Sequence, residues 1–553
     1  MSGHQKKNQN KHRNTNPERF FSGVLVLTAS NILVKAVGLL FKIPMNYIVG
    51  DTGMGYYNSA YSIYTFFYML STAGLPVAVS IMVSEARGRG NTNQTRQILK
   101  TSLLLFLLIG SIGSVLMFTC AETFAGWISS SPASFCVLAI APSMFFVCIT
   151  GALRGYFQGC QRMVPTAVSQ VIEALCKMVF GILFAVYAIR NNFQAPIIAA
   201  YAVCGLTIGT GLSMLYLVIV KCFDTPGDPL SADSSPVLPV KELLKRFLLI
   251  SLPITLSASV MSLTNMIDTV LIQRLLQNNG MSQEMATTLY GNYTSLAVPL
   301  FNLPPVFVYP IAYSIVPMIS KLRASEQRKQ AKNIMISSLR IASIIGMPCA
   351  LGLSALSKPI LSMFYRAESA AAAAPLLTLL APSSFFVCLL AITNSILQAI
   401  GKADKPVYAM LVGGAVEILS SLFLTQHIGM AGTPVSTFLC YLTVIVISLY
   451  YIYKYAGISL SVGTLIIKPL AASVICVLTA LVCFSGISCV LPEGTAVMLA
   501  ILTAVLVYIP LILRTRILTK EDLVYLPHKE KIISFLMKCH MLTEKDFQSN
   551  EQR

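Results

Sequence analysis

Seven charged side chains interrupt the long apolar runs of this sequence, and their types and spacing are the first sign of chemistry. They are Lys35, Lys42, Glu173, Lys177, Asp268, Arg274 and Glu417. A charge that faces lipid at mid-depth costs roughly 2.5–3.5 kcal/mol on insertion scales. Most of the seven must therefore face a cavity, a partner group or the membrane interface, which makes them candidates for binding a charged ligand.

Lys35 and Lys42 form a cationic stripe. They are seven residues apart, so they lie on nearly the same face of a helix, about 10 Å apart along its axis. Neither has an acid three or four residues away. Ammonium groups in a low-dielectric cavity attract diphosphate or carboxylate groups without demanding one geometry. We predict that both lysines bind an anionic head group; the alternative is that Lys42 reaches outward to the interface.

The other five charges have different spacings. Glu173 and Lys177 are four residues apart with the acid first, so they either neutralise each other or face a cavity. Asp268 and Arg274 are six apart, about 120° around a helix, so they do not simply pair with each other. Glu417 is either a counter-charge to a lysine or a proton or cation coupling site. We predict that Arg274 binds substrate with the lysines and that the remaining four are cavity or coupling residues.

Membrane-spanning helices must position these charges. The chain has 553 residues, of which 55% are hydrophobic and only 11% charged, with a mean hydropathy of +0.71. Soluble domains carry about 25% charged residues, so an ordinary soluble enzyme is excluded. Fourteen apolar stretches can cross about 30 Å of hydrocarbon, at residues 20–48, 56–83, 101–121, 133–157, 166–189, 195–220, 247–272, 291–318, 336–357, 374–399, 406–426, 431–453, 465–490 and 495–513. The sequence therefore predicts an all-α polytopic membrane protein with about fourteen transmembrane helices.

The net charge of +18, from 40 Lys and Arg against 22 Asp and Glu, reflects topology. Most basic residues fall in the two tails and in every second loop, whereas the alternate turns hold only Arg190, Lys358 and Arg366. Basic loops stay on the cytoplasmic side, so both termini are predicted in the cytoplasm. No nucleic-acid partner is expected.

Motifs of soluble enzymes are absent from the sequence. It has no GxSxG, no Walker A motif and no HExxH, and its 14 Cys are scattered without metal-ligand spacing. Gly205 and Gly209 have the small-xxx-small spacing of helix packing. We therefore expect neither an enzyme nor a metal or other cofactor, and the energy source would be an ion gradient or the membrane potential.

An internal repeat organises the spans. An Arg-Phe pair opens the first span at 19–20 and the seventh at 246–247, and a Pro and a Ser four residues apart recur at 76 and 80 and at 310 and 314. Since six spans is an even number, the halves share one orientation and are related by an axis along the membrane normal. Two six-helix lobes followed by two C-terminal helices are predicted.

The predicted segments follow from that repeat. They are a basic cytoplasmic tail at 1–19, an N-lobe at 20–222, a cytoplasmic linker at 223–245, a C-lobe at 246–454, two further spans at 455–515 and a cytoplasmic tail at 516–553. The linker, rich in Pro, Ser and Asp, lets the lobes move as separate bodies. In the last tail, apolar residues 532–537 beside lysines predict a short amphipathic helix on the anionic cytoplasmic leaflet.

Three stretches of the first 90 residues carry a family resemblance. Residues 30–44 (SNILVKAVGLLFKIP), 53–57 (GMGYY) and 70–80 (LSTAGLPVAVS) resemble the opening of the stage V sporulation protein B and polysaccharide biosynthesis family. That family lies in the multidrug/oligosaccharidyl-lipid/polysaccharide (MOP) exporter superfamily, which is MATE-like, and it includes lipid II flippases. The lysines of the first span match the family's basic positions in its first helix.

The resemblance implies a function and a location. It implies a flippase that moves an undecaprenyl-diphosphate-linked glycan across the bacterial cytoplasmic membrane by alternating access, for peptidoglycan, polysaccharide or spore-cortex synthesis. Its partners would be that lipid-linked oligosaccharide and membrane lipids, and a monomer is expected. By the same resemblance, the two lobes surround a central cavity and the last two helices form a groove for a lipid tail.

Two other functions compete with a flippase. A MATE-type multidrug or cation antiporter should have twelve spans and an acidic cavity, whereas this sequence has fourteen apolar stretches and a lysine stripe. A membrane scaffold without transport activity would not need charges buried in both lobes. The carried glycan, whether lipid II, a teichoic or capsular unit or a cortex precursor, stays open at this point.

Overall fold

The computed structural model describes residues 17–223, 238–458 and 461–514, and within these ranges the chain is helical with no β-strand. The predicted tail helix at 532–537 lies outside them. The α-helices are α1 (Pro17–Thr72), α2 (Leu75–Gly88), α3 (Thr92–Thr119), α4 (Ala121–Trp127), α5 (Ser134–Gly159), α6 (Met163–Arg190), α7 (Ala195–Phe223), α8 (Val240–Asn278), α9 (Gln283–Asn292), α10 (Val298–Phe301), α11 (Leu303–Ala324), α12 (Arg328–Ala355), α13 (Ser357–Phe364), α14 (Ala367–Ala399), α15 (Asp404–Ile428), α16 (Gly432–Ala456), α17 (Lys468–Ile487) and α18 (Glu493–Arg514).

The membrane-spanning helices agree with the apolar stretches of the sequence. Within the described ranges, eleven continuous helical runs are long and apolar enough to cross a bilayer. Two of them, Ala29–Gly88 and Asp404–Ala456, are long enough for two crossings each. The first is broken at Gly50, whose φ of 76° is non-helical and suits a residue without a Cβ. The second is broken at Gly429, where φ is 60°. These eleven segments account for thirteen crossings, and the predicted stretch 247–272 lies in α8, which is not among the eleven, so the arrangement is consistent with about fourteen.

The described helices form two compact units. One extends to Val270 and the other begins at Leu271, so the division falls inside α8. In the first unit, Leu243 and Phe247 at the start of α8 are buried against α2, α3 and α5. In the second, α17 and α18 pack on α12 and α13, and the hydroxyl of Tyr508 donates to the carbonyl of Ile344 at 2.9 Å. The lobe boundaries derived from the repeat stay a prediction.

The two units share a packing motif. The sequence APSxFFVC occurs at 141–148 in α5 and at 381–388 in α14. In the first unit, a Cβ on Gly110 of α3 would lie 2.9 Å from the Cβ of Cys148. In the second, a Cβ on Gly346 of α12 would lie 3.0 Å from the Cβ of Cys388. The same octapeptide therefore packs against a glycine in both units, which supports the predicted repeat with a longer motif than the Arg-Phe pairs.

Glycines bring the helices of the first unit into backbone contact. A Cβ on Gly205 of α7 would lie 2.3 Å from the backbone nitrogen of Gly181 in α6, and one on Gly209 would lie 2.7 Å from the carbonyl oxygen of Glu173. Small residues allow such close approach within a membrane, where dispersion and interhelical hydrogen bonds hold helices together. The helix-packing interpretation of Gly205 and Gly209 is confirmed.

This contact predicts an asymmetry between two glycines of α7. Gly205→Ala forces the backbones of α6 and α7 apart, and overpacking of this kind costs about 1–3 kcal/mol. We expect Gly205→Ala to lose its monodisperse form in detergent at a lower midpoint temperature than the wild-type protein does. Gly211→Ala is the matched control, since its Cβ would lie 3.5 Å from the ring of Phe146, an ordinary contact. Equal midpoints for the two variants would contradict the backbone contact.

Candidate functional site

An ion pair joins three helices inside the first unit. The Nη2 of Arg154 in α5 lies 2.8 Å from the Oε2 of Glu173 in α6. The guanidinium also donates to the hydroxyl of Ser169 at 2.9 Å and to the hydroxyl of Ser213 in α7 at 3.1 Å. The Ser213 hydroxyl in turn donates to the backbone carbonyl of Ser169 at 3.0 Å. Only 15% of the Arg154 side chain and 24% of the Glu173 side chain are exposed, so the pair is largely enclosed by protein.

This geometry adds a partner that the spacing along α6 does not show. Glu173 makes its ion pair with Arg154 from a neighbouring helix, and its charge also acts on Lys177, four residues on. A planar guanidinium has five donors in a fixed fork geometry, so it can serve a carboxylate and two hydroxyls at once. Arg154 is not among the seven charges singled out from the sequence. The available signal was an arginine between Gly151 and Gly155 within an apolar span.

Lys177 lies instead among aromatic rings. Its Nζ is 4.7 Å from the ring centroid of Tyr61, 5.6 Å from that of Phe41 and 5.9 Å from that of Tyr57, all on α1. Such contacts attract a cation by the ring quadrupole, and they leave its charge in place. We name Phe41, Tyr57 and Tyr61 the aromatic cage.

A row of tyrosines extends the cage along α1. Tyr57, Tyr61, Tyr64 and Tyr68 recur every three or four residues, so they share one face of the helix. Successive ring centroids are 6.2, 5.9 and 5.8 Å apart. The sequence analysis did not single out this row, although its spacing was visible. The row gives the Lys177 site a continuous aromatic wall.

The two lysines of the first span also lie on α1. Lys35 is exposed and Lys42 is half-buried. Lys42 directly follows the cage residue Phe41, and its charge is close enough to Lys177 for the two to repel each other. The first unit therefore brings Lys42 and Lys177 together. The acid nearest in sequence to Lys177, Glu173, is held by Arg154. This concentration of positive charge suits an anionic ligand.

The remaining predicted residues lie on other elements. Asp268 is half-buried in the part of α8 that belongs to the first unit, and Arg274 is exposed in the part that belongs to the second. Glu417 of α15 is half-buried in the second unit, and its Oε1 accepts a hydrogen bond from the hydroxyl of Thr437 at 3.1 Å. The grouping of all these residues around one cavity stays a prediction. Among the described residues, no cluster of three His, Cys, Asp or Glu side chains has metal-binding geometry.

Comparison with known families gives two matches. Residues 20–323, more than half of the chain, match the family described as "Polysaccharide biosynthesis protein". Residues 253–422 match the family described as "MatE". The two matches overlap across α8 to α11 and together cover α1 through most of α15.

Known proteins resemble the chain over most of its length. The Lipid II flippase MurJ of Bacillus subtilis is 26% identical over 463 residues, covering 80% of this chain and 84% of MurJ. Stage V sporulation protein B of Bacillus subtilis is 25% identical over 405 residues, covering 72% of this chain and 76% of that protein. A solved structure of "Lipid II flippase MurJ, inward closed conformation" superposes with a TM-score of 0.68 at 15% identity, over 88% of this chain and 98% of that structure.

These comparisons confirm the predicted MATE-like, all-α membrane fold and the family resemblance of the first 90 residues. They also agree with the expectation of a transporter and not an enzyme. A match across residues 20–323 covers both the lysine stripe of α1 and the Arg154–Glu173 pair. The chain therefore belongs to the polysaccharide biosynthesis protein family of the MOP exporter superfamily and is a multi-span membrane transporter.

Proposed function

We propose that the protein is a flippase that moves an undecaprenyl-diphosphate-linked glycan across the bacterial cytoplasmic membrane by alternating access. The observation that carries this proposal is the state of charge around Lys177. Arg154 engages Glu173 at 2.8 Å, and the Lys177 ammonium lies within the aromatic cage, 4.7 Å from the ring centroid of Tyr61. A diphosphate has the charge and the oxygen acceptors that such an ammonium needs.

The similarity to MurJ and to stage V sporulation protein B supports a lipid-linked substrate. In our proposal, Lys35, Lys42 and Arg274 bind the diphosphate together with Lys177. Asp268 and Glu417 serve as cavity or coupling residues, and Glu173 positions Arg154. The substrate within this class is lipid II or a related cell-wall or spore-cortex precursor. The membrane potential or an ion gradient drives the cycle, and the protein acts as a monomer.

The MatE match favours a second candidate. It covers residues 253–422 and so includes Glu417, a half-buried acid of the kind that binds a cationic drug or a coupling ion. An antiporter of this kind would confer resistance to cationic drugs, and Glu417→Gln would abolish that resistance. Charge reversal at Lys177 would leave it intact. In a flippase, by contrast, charge reversal at Lys177 would abolish transport.

Lys177 gives the direct test of the flippase. In a bacterium depleted of its lipid II flippase, the wild-type chain should restore growth and Lys177→Glu should not. Loss of a charged hydrogen bond costs about 1.5–3 kcal/mol, or more than about tenfold in affinity, and reversal adds repulsion. Lys177→Arg should retain part of the activity. Arg190→Glu, an exposed position in the last turn of the same helix, is the control and should restore growth. Full growth with Lys177→Glu, at the same amount of protein in the membrane as the wild type, would contradict the proposal.

Arg154 and Glu173 should behave as a structural pair. Arg154→Met leaves the carboxylate of Glu173 without its partner inside the protein, which costs about 3–5 kcal/mol. We expect Arg154→Met to accumulate poorly in the membrane and to lose its folded form at lower temperature. The double variant Arg154→Met/Glu173→Leu should recover most of that stability, because no uncompensated charge remains. A double variant as unstable as Arg154→Met would show that the pair itself is not the cause.

The orientation is part of the proposal: both termini lie in the cytoplasm. An epitope added after Arg553 should resist a protease applied outside intact cells. The same epitope placed between Asn191 and Asn192, in the turn after α6, should be cut, since the basic loops put that turn outside. Cleavage of the C-terminal epitope in intact cells would overturn the orientation.

A further inference from the structure

A cluster of lysines and tyrosines lies at one end of the second unit, outside the residues assigned to transport. Its lysines are Lys402 and Lys405, at the turn between α14 and α15, and Lys454, in the last turn of α16. The Nζ of Lys402 is 5.2 Å and that of Lys454 is 5.7 Å from the ring centroid of Tyr455. The Nζ of Lys405 is 5.1 Å from that of Tyr408. We name these five residues the lysine–tyrosine cluster.

Two of these ammonium groups keep their donors available. Lys405 is bound to Asp404, with Nζ 2.7 Å from Oδ2. Among the described residues, Lys402 and Lys454 have no carboxylate or carbonyl at hydrogen-bond distance; each contacts the aromatic ring, and the charge of Asp404 acts on Lys402 at longer range. Each ammonium has three donors, and both converge on one ring. An acceptor with several anionic oxygens at this ring would satisfy both groups.

The corresponding end of the first unit is built differently. There Lys221, in the last turn of α7, donates to the hydroxyl of Tyr156 at 3.0 Å, and Arg162 lies over Phe157 at 5.7 Å. An oxygen of the protein therefore already serves the lysine at the end of α7. The lysine–tyrosine cluster has more cations and leaves two of them for a ligand, so it is a feature of the second unit and not a general property of helix ends.

An apolar groove begins beside the cluster. It has a volume of ≈ 330 Å³ and is lined by Leu449, Tyr450, Tyr453, Ile458, Val462, Leu465 and Ile466. Tyr450 and Tyr453 precede Lys454 by four residues and by one, so the groove and the cluster occupy neighbouring faces of α16. Apart from the hydroxyls of its two tyrosines, the side chains that line the groove are apolar, so the groove can hold a hydrocarbon chain. A ligand for both sites carries phosphate beside an acyl chain.

We infer that this end of the second unit is a binding site for one anionic phospholipid. Its phosphate accepts hydrogen bonds from Lys402 and Lys454, and one of its acyl chains lies in the groove. Lysine and tyrosine side chains suit this depth because both combine an apolar stem with a polar tip. The inference does not rest on the proposed flippase activity, because the residues involved have no role in binding the glycan.

Native mass spectrometry of the full-length protein in detergent tests the site. We expect phosphatidylglycerol to bind and phosphatidylcholine to bind far less. The variant Lys402→Gln/Lys405→Gln/Lys454→Gln should bind phosphatidylglycerol on the order of a hundredfold more weakly, at about fivefold for each lysine. The control is Arg190→Gln/Lys358→Gln/Arg366→Gln, which removes three cations elsewhere and should bind as the wild type does. Equal binding by both triple variants would overturn the site.

Two further measurements separate a lipid from a free phosphate. Glycerol phosphate, which has the head group's anion and no acyl chain, should fail to displace phosphatidylglycerol at equal concentration. Displacement would show an anion site without a lipid. Val462→Trp, at an exposed position that lines the groove, should weaken phosphatidylglycerol binding while the lysines remain, and unchanged binding would remove the groove from the proposal. Should the triple variant not insert, Lys454→Gln alone should show the fivefold loss, and its absence would count against the site.

Discussion

Hydrocarbon offers no water to a charged group. A charge that this chain encloses within a span must therefore find its partners in the protein. The Arg154–Glu173 pair shows how that requirement shapes the first unit. The guanidinium reaches a carboxylate on α6 and a hydroxyl on each of α6 and α7. To do so, α5, α6 and α7 must approach closely. The glycines of α7 allow this, since Gly209 lies against the backbone of Glu173 itself. The ion pair and the glycine contacts therefore depend on the same close packing of α5, α6 and α7.

The repeat makes the charge asymmetry of the two units visible. The shared octapeptide aligns Arg154 of α5 with Asn394 of α14, and both helices carry a Pro at its second position. A neutral amide thus stands in the second unit where the first has a guanidinium. The glycine and cysteine contacts lie one turn or more away from Arg154 and Asn394. Both units therefore keep this helix packing, although the charge at the aligned position differs.

Much of the fold was predictable because a membrane imposes its length on every crossing helix. The apolar stretches predicted the spans, and the spacing of Gly205 and Gly209 predicted a helix contact. The partner of Glu173 was not predictable in the same way. Spacing along one helix identifies Lys177 as a neighbour, but it carries no information on which residue another helix presents. The break at Gly50 falls in the gap between the predicted stretches 20–48 and 56–83, so hydropathy did indicate its place. The aromatic cage combines α1 with α6, so periodicity within α1 shows its tyrosines but not the cation they surround.

The magnitudes involved distinguish the roles of the two cations in the first unit. Separating Arg154 from Glu173 would leave an uncompensated charge inside the protein, at a cost of about 3–5 kcal/mol. A cation–π contact is worth about 0.5–2 kcal/mol. In the proposed flippase, a diphosphate that offers several charged hydrogen bonds of about 1.5–3 kcal/mol each competes with three cation–π contacts at Lys177, whereas at Arg154 it must also leave Glu173 uncompensated. In that proposal Lys177 is the cation that exchanges partners, and Arg154 stays with Glu173.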